Sequence, residues 1–220
     1  MFKESNMEKF IENTVLKQDA TEQDLISLFE EAKKYNFFGI CVNPCYVKLA
    51  KEHLNESNVK IVTVAGFPLG ANSTEVKVFE TEKAIEDGAD EVDMVINVTW
   101  LKDKKYDLII NEIKKIKEAC QDHNLKVILE TDLLTKDEIK KACELCIEGG
   151  ADLVKTSTGF VKNGVGAKVE DVELMYNTVK DHGLLVKASG GIRDRESAEK
   201  LIAAGASRLG TSSGVKIVQG

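Results

Sequence analysis

Residues 151–160 read Ala151-Asp152-Leu153-Val154-Lys155-Thr156-Ser157-Thr158-Gly159-Phe160. The apolar, β-branched centre of this run predicts a short buried strand. Near its C-terminal end stands a lysine, a residue almost never fully buried unless something pairs with it. The triplet that launches the run, Gly150-Ala151-Asp152, occurs again as Gly88-Ala89-Asp90 and, with serine last, as Gly205-Ala206-Ser207. Each copy reads as the end of a helix and the start of an even-numbered strand. Five residues on from each glycine come Asp93, Lys155 and Gly210. If the three units superpose, these residues hold equivalent places on strands four, six and eight, and side chains of alternate strands share a layer inside a closed barrel.

Working outward, strand and helix signals alternate along the chain. A short amphipathic helix over 5–12 leads into a first strand at Asn13–Leu16. Thr21 caps a helix with the stripe Leu25, Leu28, Phe29 and Ala32, at helical spacing. Further strands are expected at Gly39–Asn43, Ile61–Ala65, around Asp93, at Val127–Leu129, at the opening run, around Lys187, and at Arg208–Gly210. Pro44 opens one helix and Ser73 another, which Gly88 stops. A long helix is expected over 106–123, and a capping box Thr135-x-x-Glu138 starts the next. A short helix follows strand eight. Eight strand–helix alternations imply an α/β protein, a single (β/α)8 TIM barrel with a short N-terminal helix, spanning 1–220 as one domain. An open doubly wound sheet competes, but the G-x-G-x-x-G turn of a dinucleotide site is absent.

Composition narrows the function. The chain has 220 residues, is 43% hydrophobic and carries a net charge of −7. Its basic residues are spread over the helices, which argues against nucleic acid. No apolar run approaches the ~18 residues of a membrane span. The opening Met-Phe-Lys-Glu-Ser-Asn has no signal-peptide pattern, and five cysteines, an odd number, read as reduced thiols. The expected setting is the cytoplasm.

The chemistry lies in the strands. Leu184-Leu185-Val186-Lys187-Ala188-Ser189-Gly190-Gly191 repeats the design of the opening run one unit later, and Asp93 sits in a third apolar run. Strand alternation turns Val92, Met94 and Ile96 outward when Asp93 points in. One such lysine reads equally well as a surface residue leaning from the barrel mouth; two on adjacent strands with a carboxylate favour chemistry. A free lysine has a pKa of ~10.4 and is barely nucleophilic at neutral pH. A second ammonium and partial burial lower it and free the amine to attack a carbonyl, with Asp93 relaying protons.

Gly190-Gly191-Ile192-Arg193 after strand seven and Gly210-Thr211-Ser212-Ser213-Gly214 after strand eight lead into helices. Such loops present backbone N–H groups to a phosphate, and all three arginines, Arg193, Arg195 and Arg208, fall nearby; Arg208, at the start of its strand, reads as structural. No metal is expected. His53, His123 and His182 fall at helix ends on the opposite face, and Cys143-x-x-Cys146 lies on an apolar helix stripe without a partner pair. Cys41, on the second strand, is expected to line the pocket.

The runs DEVDMVIN (90–97), VKTSTGF (154–160), VKASGGI (186–192), GTSSGVK (210–216), GFPLGANSTEVK (66–77) and CVNP (41–44) closely resemble those of the deoxyribose-phosphate aldolase family, in register from about Ile11 to Val218. The resemblance implies a cofactor-free class I aldolase that reversibly cleaves 2-deoxy-D-ribose 5-phosphate to D-glyceraldehyde 3-phosphate and acetaldehyde. It makes Lys155 the Schiff-base lysine, Asp93 the proton donor and acceptor, and Lys187 the second lysine. Gly190, Gly191, Ser212 and Ser213 match its phosphate loops, and with Thr158, Gly159, Arg193 and Gly210 they are the expected substrate and phosphate contacts. The implied partners are small phosphosugar and aldehyde substrates, and assembly as a dimer or tetramer stays open. Where the family often reads close to IDHTLLKPDAT, this chain has Asn13 for histidine and Gln18 for proline. The glycine-rich loop differs at Lys162–Gly166, and the chain ends at Gly220 without the tyrosine-bearing tail of some members. Two other readings are a phosphosugar isomerase on the same barrel, which needs no imine, and a non-catalytic phosphosugar-binding barrel.

Overall fold

The computed structural model describes residues 6–220. Eight strands form a closed barrel in chain order: β1 Ile11–Val15, β2 Gly39–Val42, β3 Lys60–Ala65, β4 Glu91–Val95, β5 Asn124–Ile128, β6 Leu153–Lys155, β7 Leu185–Ser189 and β8 Arg208–Thr211. All neighbouring pairs are parallel, and β8 closes onto β1 through Ile11↔Leu209, Glu12↔Gly210 and Asn13↔Thr211. The helices around it are α1 Glu22–Lys34, α2 Val47–Leu54, α3 Thr74–Glu86, α4 Val98–Lys102, α5 Tyr106–Ala119, α6 Lys136–Gly149, α7 Val169–Val179, α8 Arg195–Ala203 and α9 Gly214–Gln219. This is the expected (β/α)8 barrel.

The repeated triplet has a structural meaning. The backbone N–H groups of Asp90, Asp152 and Ser207 bond the carbonyls of Ile61, Leu125 and Val186, the same step onto the preceding strand each time. Asp90 and Asp152 each also accept a backbone N–H of that strand, from Ile61 and Leu125, while the Ser207 hydroxyl donates to the Val186 carbonyl. The repeat thus sets strand entry at the N-terminal rim, which fixes how far Asp93 and Lys155 project toward the other end.

Thr21 with Asp24 and Thr135 with Glu138 form the two reciprocal caps at the starts of α1 and α6. Two layers of apolar side chains result. Val92, Met94 and Ile96 face outward and pack with helix residues such as Ile109, Ile113 and Ile139. A small inner cluster of Leu16, Cys41, Val62 and Val64, flanked by Phe67, fills the barrel beside β2 and β3.

Several boundaries differ from the sequence reading. The expected helix over 5–12 is a 3-10 turn at Met7–Phe10, and residue 5 lies outside the described residues. Strand β1 begins at Ile11 because Ile11 and Glu12 are the residues that close the barrel on β8. Strand β5 begins at Asn124, three residues early, since it pairs with β4 from Glu91↔Asn124 onward. The long helix accordingly stops at Ala119. Pro44 opens a 3-10 turn before α2.

Candidate active site

Lys155 and Lys187 are register partners on β6 and β7. Both donate to one atom: their Nζ groups each lie 2.7 Å from Oδ2 of Asp93 on β4. Across the barrel, Gly210 of β8 leaves the space this convergence needs, for a Cβ there would stand 3.1 Å from Cε of Lys187 and 3.0 Å from Cβ of Ser189. The residues that the repeat aligned therefore meet as expected.

The structure adds three charged groups that the sequence reading did not single out. Lys126 of β5 bonds Oδ1 of Asp93 at 2.8 Å and pairs with Glu91 at 2.6 Å. Glu12 of β1 accepts a hydrogen bond from Lys187 and lies 3.8 Å from Lys126. Three carboxylates, Glu12, Glu91 and Asp93, thus face three amines, Lys126, Lys155 and Lys187, all buried. Isolated ions in such a place would cost several kcal/mol each; here every charge has an opposite neighbour. Burial disfavours the ionised Asp93, but Lys126, Lys155 and Lys187 outweigh it and hold the carboxyl well below the usual carboxylate range. Burial likewise works against charge on Lys187, and Asp93 and Glu12 overcome it, so its pKa is raised and the group stays protonated. The second lysine is therefore not a bare neighbouring charge. It is an ammonium clamped between two carboxylates.

The signal for these groups was present in the chain. Lys126 interrupts Leu125-Lys126-Val127-Ile128 as Lys155 interrupts its own run. A strand that starts at Val127 leaves Lys126 outside it, just as a first strand that starts at Asn13 leaves Glu12 outside.

A cavity of about 690 Å³ opens at the C-terminal end of the barrel. Of the three clustered lysines only Lys155 lines it; Lys126 and Lys187 are sealed beneath. The neighbouring wall includes Gly190, Gly191, Ile192, Arg193, Gly210, Thr211 and Ser212, and Ser157, Thr158, Gly159 and Phe160 border it from the β6 side. Gly190 and Gly191 are left-handed, with φ of 86° and 75°. A side chain at Gly191 would strike the Val165 carbonyl, so only glycine fits there. Ser213 stands apart: it lines a smaller neighbouring depression, and its N–H is taken by the Thr211 hydroxyl at 2.9 Å. Cys41 sits in the inner apolar cluster and not in the cavity wall, and burial pushes its thiol pKa up. Asn13 lines the cavity, holds Glu31 of α1 at 3.1 Å and receives the Gly214 N–H at 3.4 Å. Arg208 lies over the Phe38 ring, with Cζ 3.7 Å from the centroid, a structural place. Arg195 pairs with Glu199 along α8. Cys143 and Cys146 are buried on α6, where burial raises both thiol pKa values.

A family model described as DeoC/LacD family aldolase matches residues 7–220. The chain belongs to this aldolase family. The deoxyribose-phosphate aldolase of Mycoplasma capricolum subsp. capricolum is 54% identical over 98% of this chain and 96% of its own length. That of Finegoldia magna is 54% identical over 97% and 99%. Among solved structures, an aldolase designated QR15 superposes with a TM-score of 0.92 at 44% identity, covering 98% of this chain and 95% of its own. The deoxyribose-phosphate aldolase of Aeropyrum pernix, described as a unique tetramer, gives 0.90 at 33% identity over 98% and 90%. The aldolase family and the lysine–carboxylate centre at the barrel's C-terminal mouth agree with each other. Among the described residues no helix is long and apolar enough to cross a membrane.

Proposed function

We propose that the chain is a class I aldolase that reversibly cleaves 2-deoxy-D-ribose 5-phosphate to D-glyceraldehyde 3-phosphate and acetaldehyde through a Schiff base on Lys155. The observation that carries this reading is the position of Lys155, which alone among the clustered lysines reaches the cavity while sharing Oδ2 of Asp93 with Lys187.

The cleavage runs as follows. The Lys155 amine, once a proton has left it for solvent through the cavity, adds to the aldehyde carbon of the open-chain sugar. The carbinolamine loses water with the help of the Asp93–Lys187 pair and becomes an iminium. The iminium draws the electron pair of the C2–C3 bond; the C3 hydroxyl gives up its proton as C3 becomes the aldehyde of glyceraldehyde 3-phosphate. Protonation of the enamine at C2 and hydrolysis then release acetaldehyde. An iminium has the same charge as the ammonium it replaces, so the buried cluster is balanced again at each iminium stage.

The phosphate is assigned to the corner of Gly190, Gly191, Arg193 and Ser212, with Gly159 and Gly210 around it. Backbone N–H groups of turns leading into helices suit an anion. The five free thiols support a reducing, cytoplasmic setting. Assembly into a dimer or tetramer belongs to the same proposal, supported by the relative described as a tetramer and by the exposed Val76 and Phe79 on α3.

Acetaldehyde release from 2-deoxyribose 5-phosphate, followed with a coupled dehydrogenase, tests the activity; its absence would leave the isomerase and binding-protein readings. Ser212→Asp tests the phosphate corner in the same assay. A carboxylate a few Å from a phosphate dianion repels it strongly in a partly desolvated pocket. The variant should lose far more kcat/KM on the phosphorylated sugar than on 2-deoxyribose, because remote phosphate binding helps position the reacting carbon. Equal proportional losses on both substrates would place the phosphate elsewhere.

A further inference from the structure

Behind the β6 wall of the cavity lies a carboxylate that the mechanism does not use. Glu130, two residues beyond β5, is buried and left-handed, at φ 62° and ψ 60°. A non-glycine residue held there costs on the order of 1–3 kcal/mol and persists only where its surroundings demand it. Its side chain goes to one place. Oε1 accepts the Thr158 N–H at 3.0 Å, and Oε2 accepts the Thr158 hydroxyl. Burial pushes the Glu130 carboxyl pKa up, and the two bonds from Thr158 oppose that shift. The Thr158 hydroxyl also accepts the Phe160 N–H at 3.1 Å. With its only proton donated to Glu130 and one lone pair used, it keeps one lone pair with which to accept a substrate hydroxyl.

Two residues on, Asp132 holds the far end of the same loop. It accepts the Gly166 N–H at 2.7 Å and pairs with Lys168 at 3.2 Å. Gly166 and Ala167 in turn press on the phosphate corner, where Ala167 N–H bonds the Gly190 carbonyl at 3.1 Å and a side chain at Gly166 would collide with Gly190. The turn after β5 thus grips both ends of the segment that walls the cavity from Lys155 to Gly190.

The geometry points to Glu130 as a positioning residue for the aldol reaction: it orients Thr158 as an acceptor for a hydroxyl of the bound phosphosugar, while Asp132 seats the rest of the loop against the phosphate corner. This rests on the aldolase reading above. Glu130 touches no reacting atom and acts through Thr158.

The test uses Glu130→Gln, Glu130→Gly and Thr158→Val, with Glu130→Gln/Thr158→Val as the double variant. Glycine accepts the left-handed backbone without strain, so Glu130→Gly separates the lost carboxylate from a lost turn. Both Glu130 variants should lose roughly 10-fold or more in kcat/KM on 2-deoxyribose 5-phosphate, the scale of a substrate displaced by a fraction of an ångström. Trapping of acetaldehyde on Lys155 with borohydride should keep its wild-type rate, because a two-carbon aldehyde has no hydroxyl to place. The double variant should lose no more than the worse single variant. Near wild-type kcat/KM in both Glu130 variants would overturn the assignment. So would additive losses in the double variant, or a parallel loss of acetaldehyde trapping, which would make Glu130 a support for Lys155 or the fold. A wild-type protein that itself releases no acetaldehyde would instead refute the aldolase reading.

Discussion

Asp93→Asn should lower acetaldehyde release by about 10²–10⁴-fold, the usual worth of a positioned acid–base group, and should destabilise the fold as well. Asp93 is fully buried and is bonded by Lys126, Lys155 and Lys187. Asparagine has the same shape but presents two N–H donors where an oxygen stood, aimed at one or more ammonium groups. Three buried amines would then share Glu12 and Glu91 alone. Removing one partner from a buried ionic cluster costs about 3–5 kcal/mol, which for a chain of this size lowers the melting temperature by on the order of 10 °C. Steady-state assay and a thermal melt on the two proteins check both halves. Near wild-type turnover would remove Asp93 from the chemistry, and an unchanged melt would mean that the cluster is not held as a network.

Lys187→Leu should be equally damaging, for a separable reason. Leucine fills the volume but leaves Glu12 with only Lys126, 3.8 Å away, as a cationic neighbour. Glu12 is wholly buried, so the variant must either protonate it or pay for an unpaired charge. Adding Glu12→Gln removes that burden. The double variant Glu12→Gln/Lys187→Leu should therefore recover much of the lost melting temperature while staying nearly inactive, because no ammonium remains on the Lys187 side of Oδ2. Recovery of activity along with stability would make Lys187 a structural residue. A single variant that turned over at near wild-type rate would refute the two-lysine mechanism outright.

Much of this architecture was legible because it is repeated. The three Gly-Ala-Asp/Ser triplets set strand entry by one hydrogen-bonding step, so counting from the glycines places Asp93, Lys155 and Gly210 around one centre. Period-two alternation separated Asp93 from the outward Val92 and Met94 for the same reason: both faces of a barrel strand are buried, but against different layers. Strand boundaries were less legible. Asn124 and Leu125 follow the turn after α5 without a glycine or proline to mark the change, and only pairing with β4 decides that the strand has begun. That error of three residues hid Lys126, and a similar one hid Glu12. Glu130 lay further out of reach. A left-handed glutamate carries no local signal, since its side chain is held by Thr158 in the loop after β6. Ser212 and Ser213 show the same limit. They are adjacent and chemically identical, but Ser212 lines the cavity while Ser213 lines only the neighbouring depression and gives its N–H to Thr211.

The central claim is that Lys155, and not either of the lysines packed beneath it, forms the imine. Incubating the wild-type protein with acetaldehyde and sodium borohydride, then mapping the peptides by mass spectrometry, tests it directly. Lys155 lines the cavity, while Lys126 and Lys187 are sealed and tied to carboxylates. The predicted result is one ethylated residue, Lys155, with label and lost activity rising together. Ethylation mainly on Lys187 or Lys126, or full inactivation with Lys155 unmodified, would contradict the account.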